Sequence, residues 1–148
     1  MADLWPDDLA DVGSLKVPSA ILKEQADALA KKTRNILNGE VSASHDRYAD
    51  IHQINWHFAV VAPTISYRYE LFRITHGIEL YPVLLETDDP TILQSLGVHN
   101  IPDEASLISI LKSIFSSART QRIVKSLIAQ SVSHRPAPST DDDDNIPF

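Results

Sequence analysis

The chain has 148 residues, 13 Lys plus Arg against 20 Asp plus Glu, no cysteine and 43% apolar residues. That length suits one domain with or without a tail, and no apolar run is long enough to cross a bilayer as a helix. The absence of cysteine excludes disulfides, thiolate metal sites and a cysteine nucleophile, which fits a reducing cytoplasm.

The net charge of −7 is unevenly placed. Residues 1–15 carry Asp3, Asp7, Asp8 and Asp11 and no base, and their opening, Met1-Ala2-Asp3-Leu4-Trp5, lacks the basic-then-apolar order of a signal peptide. Leu4-Trp5-Pro6-Asp7-Asp8-Leu9 has the make-up of a docking peptide, but a large aromatic beside a small body is expected to fold back onto it. Residues 16–130 hold twelve acids and twelve bases, and residues 131–148 hold Arg135 and four aspartates. The acidity therefore belongs to the two ends, and the neutral body offers little to a non-specific duplex DNA binder.

From Pro18 to Asn38, Leu22, Ala26, Leu29, Thr33 and Ile36 recur at helical spacing. Pro18 suits a first helical turn, and Asn38-Gly39 offers a stop. The period then becomes two. Ile54, Trp56, Phe58, Val60 and Ala62 alternate with Asn55 and His57, and after Pro63 a second alternation sets Ile65, Tyr67, Tyr69 and Leu71 against Ser66, Arg68 and Glu70. His76-Gly77 predicts a tight hairpin into a third strand within Ile78–Glu86, with the glycine at positive φ. Thr91–Leu96 suggests a short helix closed by Gly97, and Pro102-Asp103 opens a longer helical region. There the stripe of Leu107, Leu111, Ile114 and Ala118 runs out of phase with that of Val124, Leu127, Ile128 and Ser131, so one helix kinks or two meet across Ser116–Thr120.

These elements predict an α+β fold: a three-stranded antiparallel meander with an N-terminal helix and C-terminal helices packed on one face. The expected organisation is an acidic segment over 1–15, the domain over 16–131, a Pro- and Ser-containing linker over 132–140, and a tip over 141–148. Any apolar residues left on the uncovered sheet face, such as Tyr67, Tyr69 and Leu71 or their opposite-parity neighbours according to which face the helices cover, would offer a homodimer surface.

The tip reads Asp141-Asp142-Asp143-Asp144-Asn145-Ile146-Pro147-Phe148. An acidic run followed by Ile-Pro-Phe resembles the C-terminal tip of bacterial single-stranded-DNA-binding proteins. The resemblance covers eight residues, departs by the interposed Asn145, and does not extend to the body, whose pattern is not that family's five-stranded OB barrel. It implies docking on replication, recombination and repair proteins that recognise that tail. The residues point the same way by themselves. A terminal Phe148 combines an aromatic anchor with a carboxylate, Pro147 restricts the backbone before it, and the aspartates suit a basic rim. Asn145 removes one charge beside the anchor.

The expected function is a non-enzymatic adaptor or modulator in bacterial or phage DNA metabolism, with Asp141–Asp144, Ile146, Pro147 and Phe148 as its partner-binding residues. A second reading uses Lys112, Arg119, Arg122 and Lys125, a basic series along the last helical region, to hold single-stranded DNA or the protein's own tail. A third places a ligand or substrate against Trp56, Tyr67 and Tyr69. No P-loop, nucleophile elbow, dinucleotide fingerprint or HExxH accompanies it, and Arg68 with Glu70 reads as a solvated ion pair. His45, His52, His57 and His76 lack the spacing of a metal site, and neither metal nor cofactor is expected.

Overall fold

The computed structural model describes residues 2–10, 16–44, 53–87 and 100–134. The element order is α1 (Pro18–Lys32), β1 (Asn38–Ser44), β2 (Ile54–Ala62), a 3-10 turn (Pro63–Ile65), β3 (Tyr67–His76), β4 (Val83–Glu86), β5 (Asn100–Ile101), α2 (Glu104–Ser116) and α3 (Ala118–Ser133). The α+β class is as expected, but among the described residues the sheet has five strands rather than three. They are all antiparallel, in the order β1-β2-β3-β4-β5. The Thr91–Leu96 helix lies outside the described residues.

The first helix begins on Pro18 and ends six residues before the expected stop. Thr33 explains the early end: its hydroxyl donates to Leu29 O at 2.9 Å and accepts the Leu37 N–H at 3.1 Å, tying the last turn to the exit loop. Arg34 and Asn35 then take positive φ values of 54° and 66°, which a right-handed helix cannot continue through. Asn38-Gly39 opens strand β1 instead of closing a helix. Gly39 is there because β1 lies almost on α1: a Cβ would stand 2.5 Å from both Cα and Cβ of Ala26.

Strands β2 and β3 hold the centre. Directly paired residues share a face, so Ala62 with Tyr67, Val60 with Tyr69, Phe58 with Phe72, Trp56 with Ile74 and Ile54 with His76 define one side. The parity of β3 changes between Tyr69 and Phe72 because Leu71 is a bulged residue opposite Phe58/Ala59. The side so defined is the helix-covered one. Its Phe58, Val60, Phe72, Ile74, Val83, Leu85 and Ile101 form one buried cluster with Ile21 and Leu22 of α1, Leu107, Leu111 and Ile114 of α2, and Leu127 of α3. Phe58 and Phe72 stack with centroids 5.2 Å apart, and Phe115 of α2 tilts against both.

The turn after β3 differs from the expected tight hairpin. It runs through Gly77–Pro82, with Ile78 exposed, and the left-handed residue is Leu80 (φ 73°), not the glycine. The tyrosine in that turn, Tyr81, donates to Lys16 O at 3.4 Å, and burial, reinforced by the nearby Glu104 and Asp103, raises its phenol above its ordinary pKa.

The out-of-phase stripes resolve as two helices meeting at Ser117, whose extended backbone (ψ 151°) ends α2 and whose hydroxyl accepts the Thr120 N–H that starts α3. Asp103 caps α2, accepting the Ser106 N–H at 2.8 Å. Helix α3 continues through Ser133, two residues into the expected linker. Trp5 does not fold back: Leu4, Trp5 and Leu9 are exposed, Trp5 by 72%.

Gly39→Ala is expected to lower unfolding free energy by about 1–3 kcal/mol in urea titrations, as overpacking does. Gly77→Ala, where nothing lies within 4 Å of the added methyl, serves as the tolerated control. The Asp103 carboxyl is held below its ordinary pKa by the Ser106 backbone and side-chain hydrogen bonds. Its stabilising contribution is therefore full above the unfolded value and lost as pH falls through the lower folded one. Asp103→Asn, which caps without titrating, is expected to lose less stability than the parent between about pH 5 and pH 2 in acid titrations followed by circular dichroism.

Candidate functional site

Helix α3 carries most of the basic series. From Ala105 through Thr140 the sequence has no Asp or Glu, while Lys112, Arg119, Arg122, Lys125 and Arg135 lie within it. The four expected basic residues divide between two helices and differ in exposure. Lys112 is an exposed residue of α2; Arg119 is half-buried and donates to the Tyr69 hydroxyl at 3.1 Å; Arg122 and Lys125 are exposed on α3.

Arg122 borders a cleft of about 410 Å³ between α3, the 3-10 turn and the start of β3. Ile65, Tyr67, Tyr69, Ile123 and Leu127 supply its apolar wall and floor, and Arg122, Ser126 and Gln130 follow its α3 side at four-residue steps. It exists because β3 places Tyr67 and Tyr69 on the helix-covered face before the bulge, where α3 covers them incompletely: Tyr67 remains 48% exposed. Tyr67 and Tyr69, expected to share a site with Trp56, meet Arg122 there instead. Trp56 lies elsewhere, its Nε1–H donating to His76 Nε2 at 3.0 Å and Lys23 Nζ standing 6.0 Å from its ring centroid. The expected reading of α3 singled out its charges and core stripe and missed the cleft, although Ile123 beside the Arg122/Ser126/Gln130 series was visible.

The opposite sheet face is polar. Glu40 pairs with Arg68 and Arg73 with Glu86 across strands, so Arg68 and Glu70 do not pair with each other as the sequence suggested. Glu70 accepts from His57 Nδ1 at 2.9 Å, and His57 Nε2 meets the Ser44 hydroxyl at 2.7 Å. Hydroxyl, imidazole and carboxylate have the connectivity of a nucleophile, base and orienting group. They sit on an open face, however, with the Glu70 side chain 41% exposed, where water competes for every member. The clefts at α3, at α1 and beside the β3–β4 turn are lined by other residues. We read the array as cross-strand hydrogen bonding that fixes register. Of the residues expected on the uncovered face, the tyrosines face α3 and Leu71 is buried at the bulge; that face carries their opposite-parity neighbours Arg68 and Glu70, together with Val61 and the exposed Leu84.

Among the described residues no three His, Asp or Glu side chains converge as a metal site, and no helix is long and apolar enough to cross a membrane. His45, His52 and the tip residues Asp141–Asp144, Ile146, Pro147 and Phe148 lie outside the described residues. Compared with protein-family models, curated proteins and solved structures, the chain matches none.

The two imidazoles on opposite faces should differ in structural weight. His57→Ala is expected to cost about 0–1 kcal/mol, as for a partly exposed pair. His76→Ala, which leaves the Trp56 indole N–H without its partner and opens a buried position, is expected to cost about 2–4 kcal/mol. Urea denaturation followed by tryptophan fluorescence measures both.

Proposed function

We propose that the protein is a non-enzymatic adaptor or modulator in bacterial or phage DNA metabolism that docks through residues 141–148 on proteins recognising the single-stranded-DNA-binding tail. The observation that carries this reading is the peptide itself: four acids, one neutral spacer, and an apolar triplet ending on an aromatic residue. The Phe148 ring calls for an apolar pocket, and the carboxylates of the tip call for a guanidinium or ammonium group beside it. The acids add long-range attraction that steers association and weakens with salt.

The folded part supports this by what it supplies to the tip. The body is close to neutral and its outer sheet face is occupied by internal ion pairs, so the aspartate run is the densest charge on the chain. Direct binding of nucleic acid through α3 is the lesser reading, because Arg119 is half-buried and engaged by Tyr69, which leaves Lys112 on α2 and Arg122 and Lys125 on α3 as the exposed cations of that series.

Full-length protein immobilised on resin is expected to retain bacterial proteins that are released by a synthetic peptide carrying the single-stranded-DNA-binding tail. Phe148→Ala should reduce their recovery by about tenfold or more, as removal of a buried aromatic anchor does. Recovery unchanged by Phe148→Ala or by the peptide would refute the proposal.

A further inference from the structure

We propose that the cleft between α3 and the start of β3 is the intramolecular seat of the chain's own tip, with the Phe148 ring against Tyr67, Tyr69, Ile123 and Leu127 and the tip's carboxylates toward Arg122. This rests on the tip being a docking peptide, and adds where it is held when no partner is present.

The chemistry of the cleft is that of a receptor for such a peptide. Its floor is aromatic and aliphatic, its volume of about 410 Å³ accommodates a phenylalanyl side chain with a neighbouring proline, and a guanidinium stands at its border. Arg122 is exposed and carried on a helix with no acidic residue, so a carboxylate arriving there meets no competing anion on α3. Ser126 and Gln130, one and two turns along the same side, add polar side chains that can bond a peptide backbone lying along the cleft.

Reach and direction fit as well. From His134, where α3 gives way, the fourteen residues 135–148 remain. Arg122 lies twelve residues back along the helix, about 18 Å at the α-helical rise. The remaining segment, extended, spans roughly 45 Å. The chain can therefore reverse, pass Gln130 and Ser126, and present its last residue to Arg122 with length to spare. Closing a loop of that length costs little, and the tip meets its own cleft at an effective concentration in the millimolar range. Even a weak site would then be substantially filled. A partner must displace the tip, and its apparent affinity is reduced by the fraction of chains in which the tip is seated.

The absence of native cysteine allows a direct test on the full-length chain. A nitroxide on Asn145→Cys, a position given no contact in this proposal, should selectively broaden amide and methyl signals of Ile65, Tyr67, Ile123 and Leu127 at low salt, sparing Glu40, Ser42 and Arg73 on the other sheet face. The broadening should be lost on Phe148→Ala, which alters only the tip and leaves the domain intact, and should weaken with Arg122→Glu and with added salt. Broadening confined to residues near His134, broadening that survives Phe148→Ala, or equal broadening of isotope-labelled chains without nitroxide when they are mixed with spin-labelled, isotope-unlabelled chains would each overturn the proposal. The last would mean that the tip is held by another molecule. The failures are separable: partner capture without cleft broadening removes only the internal seat, and cleft broadening without partner capture removes only the adaptor reading.

Discussion

One extra residue in β3 decides which side of the sheet meets the helices. Without a bulge at Leu71, the odd positions that begin with Tyr67 and Tyr69 would continue as Arg73 and Thr75, placing a guanidinium beneath α1 and α2. The bulge moves Phe72, Ile74 and His76 onto the covered side instead, and their partners across β2, Phe58, Trp56 and Ile54, fall into line. The Phe58–Phe72 stack, closed by Phe115, lies where the parity changes, so the irregularity is packed on its covered side by three aromatic rings. A one-residue slip there would exchange core and solvent faces along the rest of the strand.

The functional geometry descends from the same feature. Above the bulge the covered face carries tyrosines, whose rings fill space while their hydroxyls reach polar partners, as Tyr69 reaches Arg119. Helix α3, started afresh at Ser117 instead of continuing α2, lies over these tyrosines without sealing them, and the cleft is what remains. The outer face, where Ala59, Val61 and Leu84 lie among Arg68, Glu70 and Arg73, is held by ion pairs and by the Ser44–His57–Glu70 series.

Helical and strand periods in the sequence indicated α1, β2, most of β3 and the two C-terminal helices because each buries one regular face. Strand β1 escaped notice because Asn38-Gly-Glu-Val-Ser-Ala-Ser is built of small and polar residues whose alternation serves close approach to α1, with Gly39 against Ala26, more than hydrophobic burial. Strand β5 has two residues, too few for any period. The end of α1 depended on a threonine bonding in both directions, and the turn before β4 on a left-handed leucine, neither of which leaves a compositional mark. The basic series was legible as residues but not as a site, since only the fold separates Lys112 from Arg122 and brings Arg122 to the tyrosines. The reading of the tip rests on eight consecutive residues that lie outside the described residues, so the fold neither adds to it nor subtracts from it.

In the proposed function the neutral domain carries the tip, and recognition of a partner is assigned to residues 141–148. The most direct measurement is a displacement titration in which a fluorescent single-stranded-DNA-binding tail peptide, bound to a purified bacterial protein that recognises it, is challenged with the full-length chain. Release of the peptide by the native chain, weakened by salt and abolished by Phe148→Ala or by a residue added after Phe148, is the predicted result. Failure of the native chain to release the peptide at any concentration, or release that persists with Phe148→Ala, would contradict the assignment of recognition to the tip.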